Sequence, residues 1–110
     1  MERTFIQTSE FEDAWKRLGL ADEELRQLEL SILKDTKIGS VIRGTGGLRK
    51  MRFSYQNEGK RSGIRVCYVD FVVYETIYLI TAYSKSEKTN LTRRECKDIK
   101  KAIEFLEKNL

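Results

Sequence analysis

From residue 48 onward the hydrophobic period changes to two, and this constrains the chain more than any other feature. Three runs, "LRKMRFSY" (48 to 55), "GIRVCYVDF" (63 to 71) and "TIYLITAYSK" (76 to 85), are rich in β-branched and aromatic residues, which suit a pleated, half-buried surface. The glycine-containing "QNEGKRS" (56 to 62) connects the first two. Three consecutive strands with short connections form an antiparallel meander. The join between the last two, "VVYET", has poor turn chemistry, so those strands are expected to be long and their boundary is the least defined.

Helical signals flank the meander. "RTFIQT" (3 to 8) reads as a short opening strand, and "SEFE" (9 to 12) then has the Ser-x-x-Glu spacing of a capping box, predicting a short helix that stops at Gly19. A second helix is expected from Asp22, capped by its carboxylate, with Leu25, Leu28, Ile32 and Leu33 at helical spacing and Gly39 beyond its end. The closing "LTRRECKDIKKAIEFLEKNL" pairs a Thr92-to-Glu95 capping box with an apolar stripe of Cys96, Ile99, Ile103 and Leu106. This order predicts an α+β fold: a small, mostly antiparallel sheet, two N-terminal helices packed on one face and a C-terminal helix.

With 110 residues, 40% of them hydrophobic, the chain is expected to form one domain over residues 1–110. It has no proline, low-complexity stretch or internal repeat that would mark a linker. No apolar run is long enough to span a bilayer and the N-terminus lacks a signal-peptide layout, so a cytoplasmic protein with no membrane partner is expected. Cys67 and Cys96 lack a CxxC pairing, and the chain has no histidine, so both are read as reduced, non-ligating thiols.

The distribution of charge says more than the net +4. Residues 1–42 carry 6 basic and 9 acidic groups, residues 43–65 carry 7 and 1, and residues 66–110 carry 8 and 7. The excess is thus concentrated in the first meander strand and its approach to the second, as expected for a polyanion partner or a solvated hairpin. Strand parity places Lys50 and Arg52 opposite Met51 and Phe53, and Arg65 and Cys67 opposite Ile64, Val66 and Tyr68. In the last strand Tyr78, Ile80 and Ala82 are expected to oppose Leu79, Thr81, Tyr83 and Lys85. If the apolar faces lie under the helices, Lys50, Arg52, Arg65, Tyr83 and Lys85 converge on an open face with no acidic residue to balance them.

The glycine stretch "GTGGLRK" (44 to 50) lacks Walker spacing and precedes a strand, so it reads as a turn leading into the basic strand. Without histidine or a carboxylate cluster among the strands, neither a two-metal nuclease nor a histidine base is expected, and no metal or other cofactor is implied. Metal-free RNA cleavage remains open to such a face. The RNA's own 2′-hydroxyl attacks the adjacent phosphate, arginine neutralises the phosphoryl oxygens, and tyrosine or lysine moves protons if its pKa is lowered. The surrounding cations are expected to lower that of Tyr83.

"GTGGLRKMR" (44 to 52), "GKRSGIRV" (59 to 66), "YLITAYSKSE" (78 to 87) and "LTRREC" (91 to 96), in this order, resemble the HigB-type branch of the RelE superfamily of toxin–antitoxin ribonucleases. The resemblance implies a small α+β toxin that cleaves mRNA in the decoding site of the 30S ribosomal subunit without metal or cofactor. It also implies a cognate antitoxin with a helix-turn-helix domain, through which alone the toxin would meet operator DNA. Position by position, Arg49, Lys50 and Arg52 match the family's first basic strand, Lys60, Arg61 and Arg65 the second, and Tyr83 and Lys85 the end of the last. The resemblance implies Arg65 as the phosphate clamp and Tyr83 or Lys85 in proton transfer. Arg49, Lys50, Arg52, Lys60 and Arg61 would bind the RNA phosphates. "DFVVYE" (70 to 75) departs from the polar turn frequent in relatives and suggests an apolar contact there, with antitoxin as one candidate. Two other functions fit the same composition: a gyrase-poisoning toxin of similar fold without nuclease activity, and a non-catalytic RNA-binding module.

Overall fold

In the computed structural model, which describes residues 2–54 and 63–110, the elements run β1 (Thr4–Gln7), α1 (Ser9–Arg17), α2 (Asp22–Lys34), β2 (Ser40–Val41), β3 (Arg49–Phe53), β4 (Ile64–Phe71), β5 (Thr76–Ser84) and α3 (Arg93–Lys108). The five strands lie in the order β1-β5-β4-β3-β2. The predicted meander is β3-β4-β5, antiparallel throughout, with β2 antiparallel to β3 at one edge and β1 parallel to β5 at the other. The result is the expected α+β arrangement with a mostly antiparallel sheet. The two-residue β2 carries too little periodicity to be read from sequence.

The helix starts show how tertiary pairing overrides local pattern. Thr8, not Ser9, caps α1: its hydroxyl accepts from Phe11 N–H at 3.0 Å and donates to the Ile80 carbonyl at 2.8 Å. Thr8 N–H also donates to the Leu79 carbonyl at 3.1 Å, which holds residue 8 extended beside β5. The cap of α2 falls on Ala21 instead of Asp22, and Glu24 reaches back to accept from Ala21 N–H at 2.8 Å. In α3 the predicted box is complete, with Thr92 N–H donating to Glu95 at 2.8 Å and Glu95 N–H to Thr92 at 3.0 Å.

Two apolar layers sandwich the sheet. Under α1 and α2, Phe11, Trp15, Leu28 and Ile32 pack on Met51, Phe53, Val66 and Leu79, so the parity expected for β3 and β4 holds. Across the sheet a second layer, including Leu48, Cys67, Val69, Ile80 and Tyr83, is buried with Ile103 of α3. The face expected to be open is therefore partly roofed by α3.

In β5 the parity breaks. Cys67 pairs with Thr81 but Tyr68 with Leu79, so β5 carries one additional residue, Ile80, between them. Ile77 and Leu79 consequently face α1 and α2 together with Ala82, while Tyr78, Ile80 and Tyr83 face the α3 side. The predicted grouping of Tyr78, Ile80 and Ala82 on one face is corrected accordingly. The Thr8 hydroxyl satisfies the bulged residue's carbonyl, so the start of α1 and the bulge are built on one another.

The β4–β5 join is a 3-10 turn, Val72–Tyr74, closed by Glu75 at φ 51°. A non-glycine residue in that region is uncommon, and the turn leaves Val72 63% and Val73 87% exposed. At the neighbouring end of the sheet, Arg3 holds Asp70 through Nε to Oδ1 at 2.8 Å and Nη2 to Oδ2 at 3.2 Å. This partly buried fork ties the start of β1 to β4 across β5. Among the described residues no helix is long and apolar enough to cross a membrane.

Candidate functional site

Cross-strand pairing assembles the central part of the site. Arg52 of β3 lies directly opposite Arg65 of β4, and Arg65 lies opposite Tyr83 of β5, so the three form a row across the sheet. Lys50 stands one step along β3, paired with Cys67, and its Nζ donates to Asn90 Oδ1 at 3.0 Å. Directly opposed like charges cost up to about 1 kcal/mol. Among the described residues no carboxylate forms an ion pair with Arg52, Arg65 or Lys50.

Two atoms in this row stand out. Arg65 Nη1 and Tyr83 OH are buried and, among the described residues, have no hydrogen-bond partner. Leaving a buried hydroxyl unbonded costs about 1–3 kcal/mol, and a charged donor more. Each of these two groups, on paired residues, would be stabilised by an acceptor, preferably an anionic one. A phosphate offers several oxygens, and a guanidinium is shaped to bind two of them.

Burial sets the chemistry of Tyr83. It is 2% exposed, and that burial pushes its hydroxyl up to about 12, with nearby Cys67 acting in the same direction and Arg65 opposing. The expected lowering by the cationic face is overturned, since desolvation outweighs the neighbouring cation. The group is a neutral donor around pH 7. Nor is the face free of acid: Glu95 at the start of α3 accepts from Lys88 Nζ at 2.6 Å, and this contact with Thr92 N–H holds its carboxyl below the usual range. Lys88 in turn lies 5.4 Å from the Tyr83 ring centroid. Glu10 of α1 accepts from Thr81 at 2.8 Å.

The other sequence candidates divide. Lys85 is exposed, just past β5, with its N–H donating to the Gly63 carbonyl at 2.6 Å. Arg49 pairs with Tyr68 and so lies on the α1/α2 face, its Nη1 bound to the Gly39 carbonyl at 2.6 Å. That places Arg49 away from the row, as part of the framework. Gly39 is needed because a Cβ there would stand 3.0 Å from Tyr68 Cε1, 3.1 Å from Arg49 Cβ and 3.1 Å from the Lys50 carbonyl. Lys60 and Arg61 lie outside the described residues.

The glycine stretch is structural. The buried Thr45 hydroxyl donates to the Ile42 carbonyl at 2.6 Å and accepts from Leu48 N–H at 3.1 Å, closing the turn. Gly46 and Gly47 have positive φ beside α3 and Val69. Since the turn precedes Arg49, it lies at the opposite end of β3 from Arg52. Sequence reasoning missed Lys88, Asn90 and Glu95, which come from α3 and the segment before it. The Thr92–Glu95 box was the available signal, because it fixes where α3 begins and hence what its first turn reaches.

Among the described residues no group of three or more Cys, Asp or Glu side chains comes together to hold a metal ion. No protein-family model matches the chain. Among solved structures it is similar to that of the E. coli toxin RelE, a double arginine-to-alanine mutant in the free state. The TM-score is 0.55 and the sequence identity 15%, covering 81% of this chain and 90% of that one. The similarity establishes a RelE-like fold.

Proposed function

We propose that this chain is a RelE-superfamily toxin of the HigB type, a metal-independent endoribonuclease that cleaves mRNA in the ribosomal decoding site. The observation that carries this reading is the Arg65–Tyr83 cross-strand pair, whose buried Nη1 and hydroxyl have no partner among the described residues. The RelE-like fold and the family-like basic strands support it.

In the proposed reaction the guanidinium of Arg65 binds the scissile phosphate and neutralises charge as the 2′-hydroxyl attacks phosphorus. Arg52 and Lys50 hold neighbouring phosphates in register, which favours in-line attack. Attack forms the bond from the 2′-oxygen to phosphorus and breaks the bond to the 5′-oxygen, leaving a 2′,3′-cyclic phosphate. Tyr83, neutral and desolvated, donates to a phosphoryl or leaving oxygen. Of the two proton-transfer candidates, Lys85 takes the 2′-hydroxyl proton when it is present as the free amine, and the leaving 5′-oxygen takes a proton from water. Lys60 and Arg61 complete the phosphate contacts in this reading.

The whole chain acts as one cytoplasmic domain, held inactive by a cognate helix-turn-helix antitoxin that also makes the contact with operator DNA. Exposed Val72, Val73 and Tyr74 supply apolar surface for that partner. The test is purified protein, free of antitoxin, on translating ribosomes with a chelator present. Cleavage of the message, lost in Arg65→Ala, is expected. Intact message with inhibited gyrase would replace this reading with the gyrase-poisoning one.

A further inference from the structure

Charge on α3 is segregated along its length. The helix buries Ile103 and half-buries Cys96, Ile99 and Leu106 against the sheet. At about 100° per residue, Arg93, Arg94, Lys97, Lys100 and Lys101 fall within about 120° of the circumference, beside that apolar stripe and exposed. Glu104 lies within the arc and Asp98 at its margin. Among the described residues none of the five cations forms an ion pair, although Glu95, Asp98, Glu104 and Glu107 share their helix. The five cations, Asp98 and Glu104 line one open groove.

Placement against the helix dipole points the same way. Arg93 and Arg94 occupy the first two positions of α3, where the partial positive charge of the helix N-terminus disfavours cations. Lys97, Lys100 and Lys101 then repeat at three- and four-residue spacing, where like charges repel. The start of α3 also adjoins the strand site: Lys50 of the cationic row hydrogen-bonds Asn90, two residues before the Thr92 cap. The groove thus continues the row away from the scissile position.

We propose that this face of α3 is a second RNA-binding surface, gripping the phosphate backbone beyond the nucleotides held at Arg52, Arg65 and Tyr83. Its task is affinity and orientation on the RNA, while bond cleavage stays with the strand site. The inference takes from the proposed function only that the strand site faces RNA, and its test reads binding independently of cleavage.

The probe is a fluorescent, fully 2′-O-methylated RNA hairpin, which has no nucleophilic 2′-hydroxyl, titrated with the full chain over a range of salt. Arg94→Gln/Lys97→Gln/Lys101→Gln keeps good helix formers in place. Each phosphate contact contributes about 0.7–0.9 to the slope of log affinity against log salt. The triple variant is expected to reduce that slope by about 2 and to weaken binding roughly tenfold or more. A charge-matched control, Arg26→Gln/Lys34→Gln/Lys37→Gln on exposed positions of α2 and its following turn, is expected to bind like wild type. Unchanged affinity and slope in the α3 variant would overturn the proposal, as would an equal loss in the control. Loss of an acidic protein partner with RNA binding intact would overturn it too. If wild type binds the probe through α3 yet cleaves no message, the nuclease reading fails and this surface stands.

Discussion

Replacing Tyr83 with phenylalanine should change stability and activity in opposite directions. In the free protein the hydroxyl is buried without a partner among the described residues, so it bears a desolvation cost of about 1–3 kcal/mol with no compensating bond. Phenylalanine keeps the ring, its contacts with the α3-side layer and its place beside Lys88. Losing one oxygen leaves a small void whose cost offsets part of the gain, so a net stabilisation of about 1 kcal/mol is expected. For a chain of this size that corresponds to a rise of about 4–6 °C in Tm. Cleavage, on the proposed reaction, loses the donor to the phosphate, an effect of roughly 10²–10³ in rate. Denaturant titration and single-turnover cleavage on programmed ribosomes measure the two quantities separately. A variant that cleaves at the wild-type rate while losing more than about 1 kcal/mol of stability would refute the reasoning, because the hydroxyl would then be serving the fold.

Three further outcomes follow from the described contacts. Burial pushes the Cys67 thiol up to about 12 from 9.0, and Tyr83 up to about 12 from 10.0. Both groups therefore support the fold fully below their ordinary values and lose that support as pH climbs towards 12; urea midpoints should fall over that alkaline range, and Cys67→Ala should flatten the early part of the decline. Arg3→Ala removes the fork from a partly buried Asp70, at a cost of about 1–3 kcal/mol, with faster amide exchange along β1; a loss below about 0.5 kcal/mol would mean that water replaces the guanidinium. Gly39→Ala should cost about 1–3 kcal/mol, since the new methyl meets the Arg49 Cβ and the Lys50 carbonyl, which cannot swing away; an unchanged denaturation midpoint would show that this loop yields freely.

How much could be read in advance depended on whether a residue's role was local. The period-two runs located β3, β4 and β5, and parity sorted β3 and β4, because alternation is a property of a strand by itself. The Thr92–Glu95 box was legible for the same reason. Ser9 and Asp22 were displaced as caps because pairing of residue 8 with β5, and the reach of Glu24, decided where the helices begin. β2 is only two residues long, and β5's extra residue leaves no mark in its composition. The Arg52–Arg65–Tyr83 row was anticipated as a cluster, but Tyr83's burial was not, since it depends on α3 folding back over the sheet. That burial reverses the lowering of the Tyr83 hydroxyl expected from the cations around it and makes it a neutral donor. Arg49 matched the basic strand by sequence, yet alternation alone already placed it on the face opposite Lys50.

The bulge at Ile80 has a consequence for change in this protein. β5 is written in two reading phases, with Leu79 and earlier positions in one and Ala82 and later ones in the other. Deleting Ile80 would merge the phases while leaving Leu79, Ala82 and Tyr83 on their present faces, because β4 carries no matching extra residue; what would go is the carbonyl that accepts from the Thr8 hydroxyl at the start of α1. The extra residue thus serves the helix that follows β1 more than the alternation of its own strand: its removal is expected to loosen the start of α1 and to leave the pairing of Tyr83 with Arg65 in place.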